Sequence, residues 1–281
     1  MAPRAAANCY AVIFRGRRQR RKRRQRSAFL VASSPARSTT CVNDRLVSMR
    51  RVWRQLSGAL LDLVLPPACS SCAAPAAVLC DPCRRKLVAR RTDGCARCGA
   101  AKAATGRCTS GHRHLRHLTQ LLAPYRFAGT AGRLVRRFKL DGDAAAGRWL
   151  ARAMADVYRV CGAAGRPLVV SVPLHRARRR RRGFDQAAWL AQGVARRLGL
   201  RAASGVLVRK RATRPQGDAL VLSRTDNVRG AFYVREPEAI RGRAVLLVDD
   251  VFTTGATARA CAKLLKDAGA RSVALLVACE S

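Results

Sequence analysis

The chain has 281 residues, and 56 Lys and Arg against 16 Asp and Glu give it a net charge of +40 at pH 7. Hydrophobic residues make up 49% of it, which excludes disorder throughout, but aromatic residues only 5%, so a core must be built mostly from Ala, Val and Leu. The longest apolar stretch, 59–80, is broken by Asp62, Pro66 and Pro67, and no run reaches the ~18 apolar residues of a membrane-spanning helix. A surface this positive attracts polyanions, whether nucleic acid, phosphorylated metabolites or anionic lipid.

Residues 1–48 differ from the rest. They hold 12 Lys and Arg and a single acid, Asp44, with the block RGRRQRRKRRQR at Arg15–Arg26; without them the body still carries +29. Three readings compete: a disordered basic arm for nucleic acid, an acid-poor targeting peptide, or misread sequence upstream of a true start near Met49. The last is preferred. In 49–67, Val52, Trp53, Leu56, Ala59, Leu60, Leu63 and Val64 recur at three- and four-residue spacing and predict a helix stopped by Pro66-Pro67.

Residues 68–117 form a cysteine-rich module. Seven of the twelve cysteines lie between Cys69 and Cys108, mostly as C-x-x-C pairs, which reads as zinc in a reducing compartment and places the protein in the cytoplasm. Cys69, Cys72, Cys80 and Cys83 supply a complete tetrahedral set. Cys95, Cys98 and Cys108 supply three ligands of a second; His112 or His114 completes it, or the site is degenerate. A closed thiolate shell leaves no open coordination position, so the metal is structural. It must also organise the module, which has too few large apolar residues for a core of its own.

From 118 to 281 strands and helices alternate. Leu121–Phe127 and Leu134–Leu140 read as two strands or as a strand and a short helix. Ala144–Val160 is a helix, Pro167–Leu174 a buried strand and Asp185–Leu198 a helix. Gly205–Val208 opens another strand before the polar stretch Arg209–Arg229. Ala244–Val251 is an apolar strand, Ala256–Ala268 a helix closed by Gly269, and Ser272–Cys279 the last strand. Continuous apolar strands between helices predict an α/β fold, a doubly wound parallel sheet covered on both faces.

The sharpest signal is AVLLVDDVFTTGATARA, 244–260. A buried strand ends in Asp249-Asp250, and the turn Thr253, Thr254, Gly255, Ala256, Thr257 opens a helix. Small residues at a helix N-terminus let backbone N–H groups close on a phosphate, and threonine hydroxyls add bonds. Two acids beside it suit vicinal hydroxyls, so a sugar phosphate satisfies every group.

This segment resembles the 5-phosphoribosyl-1-pyrophosphate (PRPP) signature of type I phosphoribosyltransferases. SVPLHRARRRRRGFDQAAWLA (171–191), with Arg182-Gly183-Phe184-Asp185-Gln186, and TRPQGDALVLSRTDNVRGAF (213–232), together with the cysteine pairs, resemble the ComF family, linked to competence and DNA uptake. Asp185 departs from the family, which more usually has Asn there, and Gly111 stands where a fourth cysteine of the second site is often found. The resemblance implies a zinc ribbon followed by a type I phosphoribosyltransferase-like domain that binds PRPP with magnesium. It further implies transfer of 5-phosphoribose to an acceptor, Asp249 and Asp250 orienting the ribose. The loop from Ser171 would face the pyrophosphate, 209–229 would form a mobile hood, and Arg182, Arg214 and Arg224 would ligate anions through guanidinium forks. The alternative is a non-catalytic protein handling single-stranded DNA or other nucleic acid among competence proteins, through zinc knuckles and basic patches.

Overall fold

The computed structural model describes residues 68–75, 78–90, 94–112, 115–174, 179–180, 183–210 and 230–281. The basic segment 1–48 and the helix expected over 49–67 lie outside them. In chain order the elements are α1 (Asp81–Arg85), β1 (Gln120–Leu122), β2 (Tyr125–Arg126), α2 (Gly129–Arg136) running into a π-helical turn (Arg137–Asp141), α3 (Ala144–Cys161) and β3 (Leu168–Ser171). There follow α4 (Gln186–Leu198), β4 (Ala202–Ala203), β5 (Leu207–Arg209), β6 (Phe232–Val234), β7 (Ala244–Phe252), α5 (Ala256–Asp267) and β8 (Ser272–Glu280).

The main sheet is parallel, in the order β1-β8-β7-β3-β4, with β2 also paired to β8. Strand alternation sorts its side chains. Val169, Leu246, Val248, Leu276 and Ala278 pack into the core shared with α2, α3 and α4. Leu168, Val170, Val245, Leu247, Val273, Leu275 and Val277 pack with α5 on the other face. This is the covered parallel sheet expected from its unbroken apolar strands.

Two helices start on aspartates. Asp143 accepts a hydrogen bond from the Ala146 backbone N–H at 2.9 Å and opens α3; Asp185 accepts one from the Ala188 N–H at 3.0 Å and opens α4. Asp and Asn cap helices about equally well, so the Asn-to-Asp departure at 185 keeps the local structure.

Two segments resolve differently from the simplest sequence reading. Of the two possibilities for 134–140, the helix holds: Ala131, Leu134, Val135 and Phe138 recur at helical spacing, and all are buried. The strand expected from Gly205 leaves the parallel sheet and pairs as β5 antiparallel with β6. One face of this pair is buried and the other is not: Leu207 and Phe232 are buried, while Val208 and Tyr233 opposite are half-buried, with Lys210 Nζ 4.9 Å from the Tyr233 ring centroid. A strand with a single buried face suits an outlying antiparallel pair better than a sheet buried on both sides.

The cysteine-rich module is fixed to the β1 edge of the sheet. The Arg126 N–H donates to the Val88 carbonyl (3.0 Å), the Arg90 N–H to the Pro124 carbonyl (3.2 Å) and the Leu121 N–H to the Arg97 carbonyl (2.7 Å). Ser70 Oγ donates to Asp143 Oδ2 at 2.8 Å, and Arg133 Nε to Ser71 Oγ at 2.9 Å, tying the first knuckle to α2 and α3. Among the described residues no helix is long and apolar enough to cross a membrane.

Candidate functional site

Strand β7 delivers Asp249 and Asp250 to the carboxyl edge of the sheet, where ligands of open α/β folds bind. Both are half-buried. Successive strand residues point to opposite faces, so Asp249 turns toward α5 and Asp250 toward the π-helical turn. The Asp250 N–H donates to Asp249 Oδ1 at 2.8 Å, fixing one carboxylate against the next backbone unit. Burial, and secondarily the Asp250 carboxylate, hold the Asp249 carboxyl well above the usual carboxylate range.

Beyond the pair the chain turns through exposed Thr253 and Thr254 to Gly255, then Ala256 and Thr257 begin α5. Gly255 has φ +73°, and a Cβ there would lie 2.6 Å from the Phe252 ring, so only glycine fits. Arg259 Nη1 donates to the Thr254 carbonyl at 2.7 Å and braces the turn. The first N–H groups of α5 therefore face outward beside two hydroxyls and two acids, a setting suited to a phosphate with a polyol attached. Ser171 ends β3 in register with Val248, one residue before Asp249, so the loop it opens lies beside the acids. Arg182, Arg214, Arg224 and the proposed hood lie outside the described residues, apart from Arg209 and Lys210 at the hood's base.

One residue of the site was not foreseen. Lys139 Nζ lies 2.9 Å from Asp250 Oδ1, both side chains largely covered. Its segment, FKLDGD, carried a signal in retrospect: an apolar residue to anchor, a glycine to turn on, and an aspartate to cap the next helix.

The cysteine pairs converge as their spacing implies. The Sγ atoms of Cys69, Cys72, Cys80 and Cys83 lie within 4.8 Å of one another, as do those of Cys95, Cys98 and Cys108 with a His112 ring nitrogen. Cys72 and Cys80 sulfurs are 3.6 Å apart and Cys98 and Cys108 sulfurs 3.4 Å. Sulfurs at ~2.3 Å from a tetrahedral zinc stand roughly 3.8 Å from one another, so both sets fit the ion. Of the two candidate histidines it is His112 that joins, its Nε2 3.1 Å from Cys95 Sγ; His114 lies outside the described residues. A left-handed backbone at His112 (φ +63°) swings the ring into the cluster that Gly111 cannot complete. The protein is thus built for structural zinc.

The chain matches two domain families. Residues 60–110 match the double zinc ribbon domain family, and residues 185–281 the phosphoribosyl transferase domain family. DNA utilization protein YhgH of Salmonella typhi is 31% identical over 231 residues, covering 78% of this chain and 99% of its own. YhgH of Escherichia coli K12 is 30% identical over 233 residues, with the same coverage. Competence protein F of Haemophilus influenzae is 32% identical over 145 residues, covering 50% of this chain and 63% of its own. Zinc ribbon, phosphoribosyl transferase domain and full-length relatives converge: the chain belongs to the family of DNA utilization protein YhgH and competence protein F.

Proposed function

We propose that this protein binds PRPP, with its magnesium, at the carboxyl edge of β7 and transfers the 5-phosphoribosyl group to an acceptor during the use of taken-up DNA. The observation that carries the reading is the continuous β7–turn–α5 surface. Asp249 and Asp250 face the ribose hydroxyls, and Thr253, Thr254, Gly255, Ala256 and Thr257 close on the 5-phosphate. In the transfer, the bond from ribose C1 to the pyrophosphate oxygen breaks as the acceptor's lone pair attacks C1; the pyrophosphate leaves with the bonding electrons. Magnesium bound with the PRPP would supply positive charge to neutralise that leaving group. The acids orient the ribose and do not attack it. Ser171 and its loop, Arg182, Arg214 and Arg224 are assigned to the pyrophosphate side. Calorimetric titration of PRPP and magnesium into the zinc-loaded protein tests this: micromolar binding lost in the double variant Asp249→Asn/Asp250→Asn supports it. Unchanged affinity in that variant would remove the acids from the site.

A second reading, contact with nucleic acid alongside competence proteins, is favoured by one feature. Arg148, Arg152 and Arg159 are exposed on α3, and their spacing of four and seven residues places them along a single helical stripe. Such a stripe binds phosphates without reading sequence, and its affinity for single-stranded DNA should fall steeply with salt. Replacing all three by Ala should flatten that dependence without altering PRPP binding.

A further inference from the structure

Lys139 is anchored for a task. Phe138, beside it, is buried and packs against Phe184 (ring centroids 5.4 Å apart, edge to face) and Trp189 (5.3 Å). Room for that ring exists because residue 147 is glycine; a Cβ there would lie 2.5 Å from it. On the other side Gly142 closes the π-helical turn at φ +67°, and Asp143 is held both by the start of α3 and by Ser70 of the first knuckle. The backbone around Lys139 is thus pinned from the core, from the helix and from the cysteine-rich module. An exposed lysine on a free stem would have none of these restraints, and π-helical turns recur at functional sites.

From this position the ammonium reaches Asp250 at 2.9 Å. Two adjacent acids at one strand end repel each other, and burial disfavours charge on Asp249. Around the pair stand Lys139 from the π-helical turn, Asp185 from the start of α4, Cys261 from α5 with Arg209 of β5 beside it, and Cys279 from β8 with Glu280 beside it. Of the two cations it is Lys139 that contacts an acid, at 2.9 Å. It meets Asp250 alone, which makes the two acids unequal.

We propose that Lys139 is a positioning residue of the sugar-phosphate site, holding Asp250 in place as an oriented acceptor for a sugar hydroxyl. This rests on the sugar-phosphate reading above but makes a claim of its own about the acids. Without the ammonium, the Asp250 carboxylate loses the 2.9 Å partner that fixes its aim and keeps only the repulsion of its neighbour Asp249. With Lys139 in place, the site offers one carboxylate of fixed orientation.

The test uses the full zinc-loaded chain, Lys139→Met (which keeps the stem and removes the charge) and Lys139→Arg, with thermal melting to confirm folding. Carboxyl carbon NMR follows the titration of Asp249, which the Lys139 charge lowers and the Asp250 charge raises, and calorimetry measures affinity for ribose 5-phosphate and for PRPP with magnesium. In Lys139→Met the Asp249 midpoint should rise, and affinity should fall about tenfold at neutral pH. Lys139→Arg should hold both close to wild type. An unmoved midpoint overturns the proposal, and so does tighter binding by Lys139→Met, which would make the lysine a plug. If wild-type protein binds neither compound while the midpoint still moves, the sugar-phosphate reading fails and the hold on Asp250 stands.

Discussion

Arg90 of the cysteine-rich module and Glu280 of β8 form an ion pair at 3.0 Å (Nε to Oε2), with the arginine side chain 2% and the glutamate 16% exposed. It locks the zinc module to the sheet edge, and the same arginine also donates to the Leu121 carbonyl. Burial pushes the Glu280 carboxyl up, and the Arg90 charge opposes that. Removing one partner of such a pair leaves a buried charge uncompensated, at a cost of about 3 kcal/mol. Glu280→Ala should therefore lower the urea midpoint markedly, and Glu280→Gln, which keeps a hydrogen-bonding group there, somewhat less. Equal and negligible losses in both would mean that the backbone pairing at 88–90 holds the module unaided.

Asp249 links the site to stability. Burial, followed by the Asp250 carboxylate, pushes its carboxyl up to about 8. An acid raised in the folded state costs no stability below its unfolded pKa, about 4, and costs progressively more as pH climbs toward the folded value. Asp249→Asn should thus match wild type near pH 4 and exceed it by on the order of 1–2 kcal/mol at pH 8, a figure discounted because the carboxyl is partly open to solvent. Unfolding curves at several pH values check this. A constant difference across the range would rule out titration of Asp249 as the cause.

The two metal sites should count separately. Metal analysis of the purified protein should find two zinc ions per chain, and His112→Ala about one. His112→Cys should restore the second, because thiolate and imidazole both serve tetrahedral zinc. Two ions retained by His112→Ala would show that another group is the fourth ligand.

Gly255→Ala should destabilise the protein by about 1–3 kcal/mol, since alanine there adopts a left-handed backbone and collides with Phe252. It should also abolish sugar-phosphate binding by displacing the turn between Thr254 and Ala256. Asp185→Asn, by contrast, should leave melting temperature nearly unchanged, because either side chain caps α4. A large loss there would assign Asp185 a role in the site through its charge.

The sequence by itself determined the elements whose pattern is local. Unbroken apolar runs at 168–170, 244–248 and 273–279 specify strands buried on both faces, and cysteine pairs with two residues between them specify metal knuckles wherever they are placed. The acid pair and the Thr-Gly turn are consecutive residues, so their grouping at one strand end was legible too. What sequence spacing left open were relationships between distant residues. That His112 turns inward depended on a left-handed backbone at its own position. Whether 207–209 joined the main sheet depended on finding β6 some twenty residues later. Lys139 stands 111 residues before Asp250, and no periodicity connects them; only the crossing of the π-helical turn over the carboxyl edge brings ammonium to carboxylate. Arg90 and Glu280 are similarly remote. Tertiary structure decided these pairings because long-range contacts follow from packing of whole elements, and local sequence encodes the elements alone.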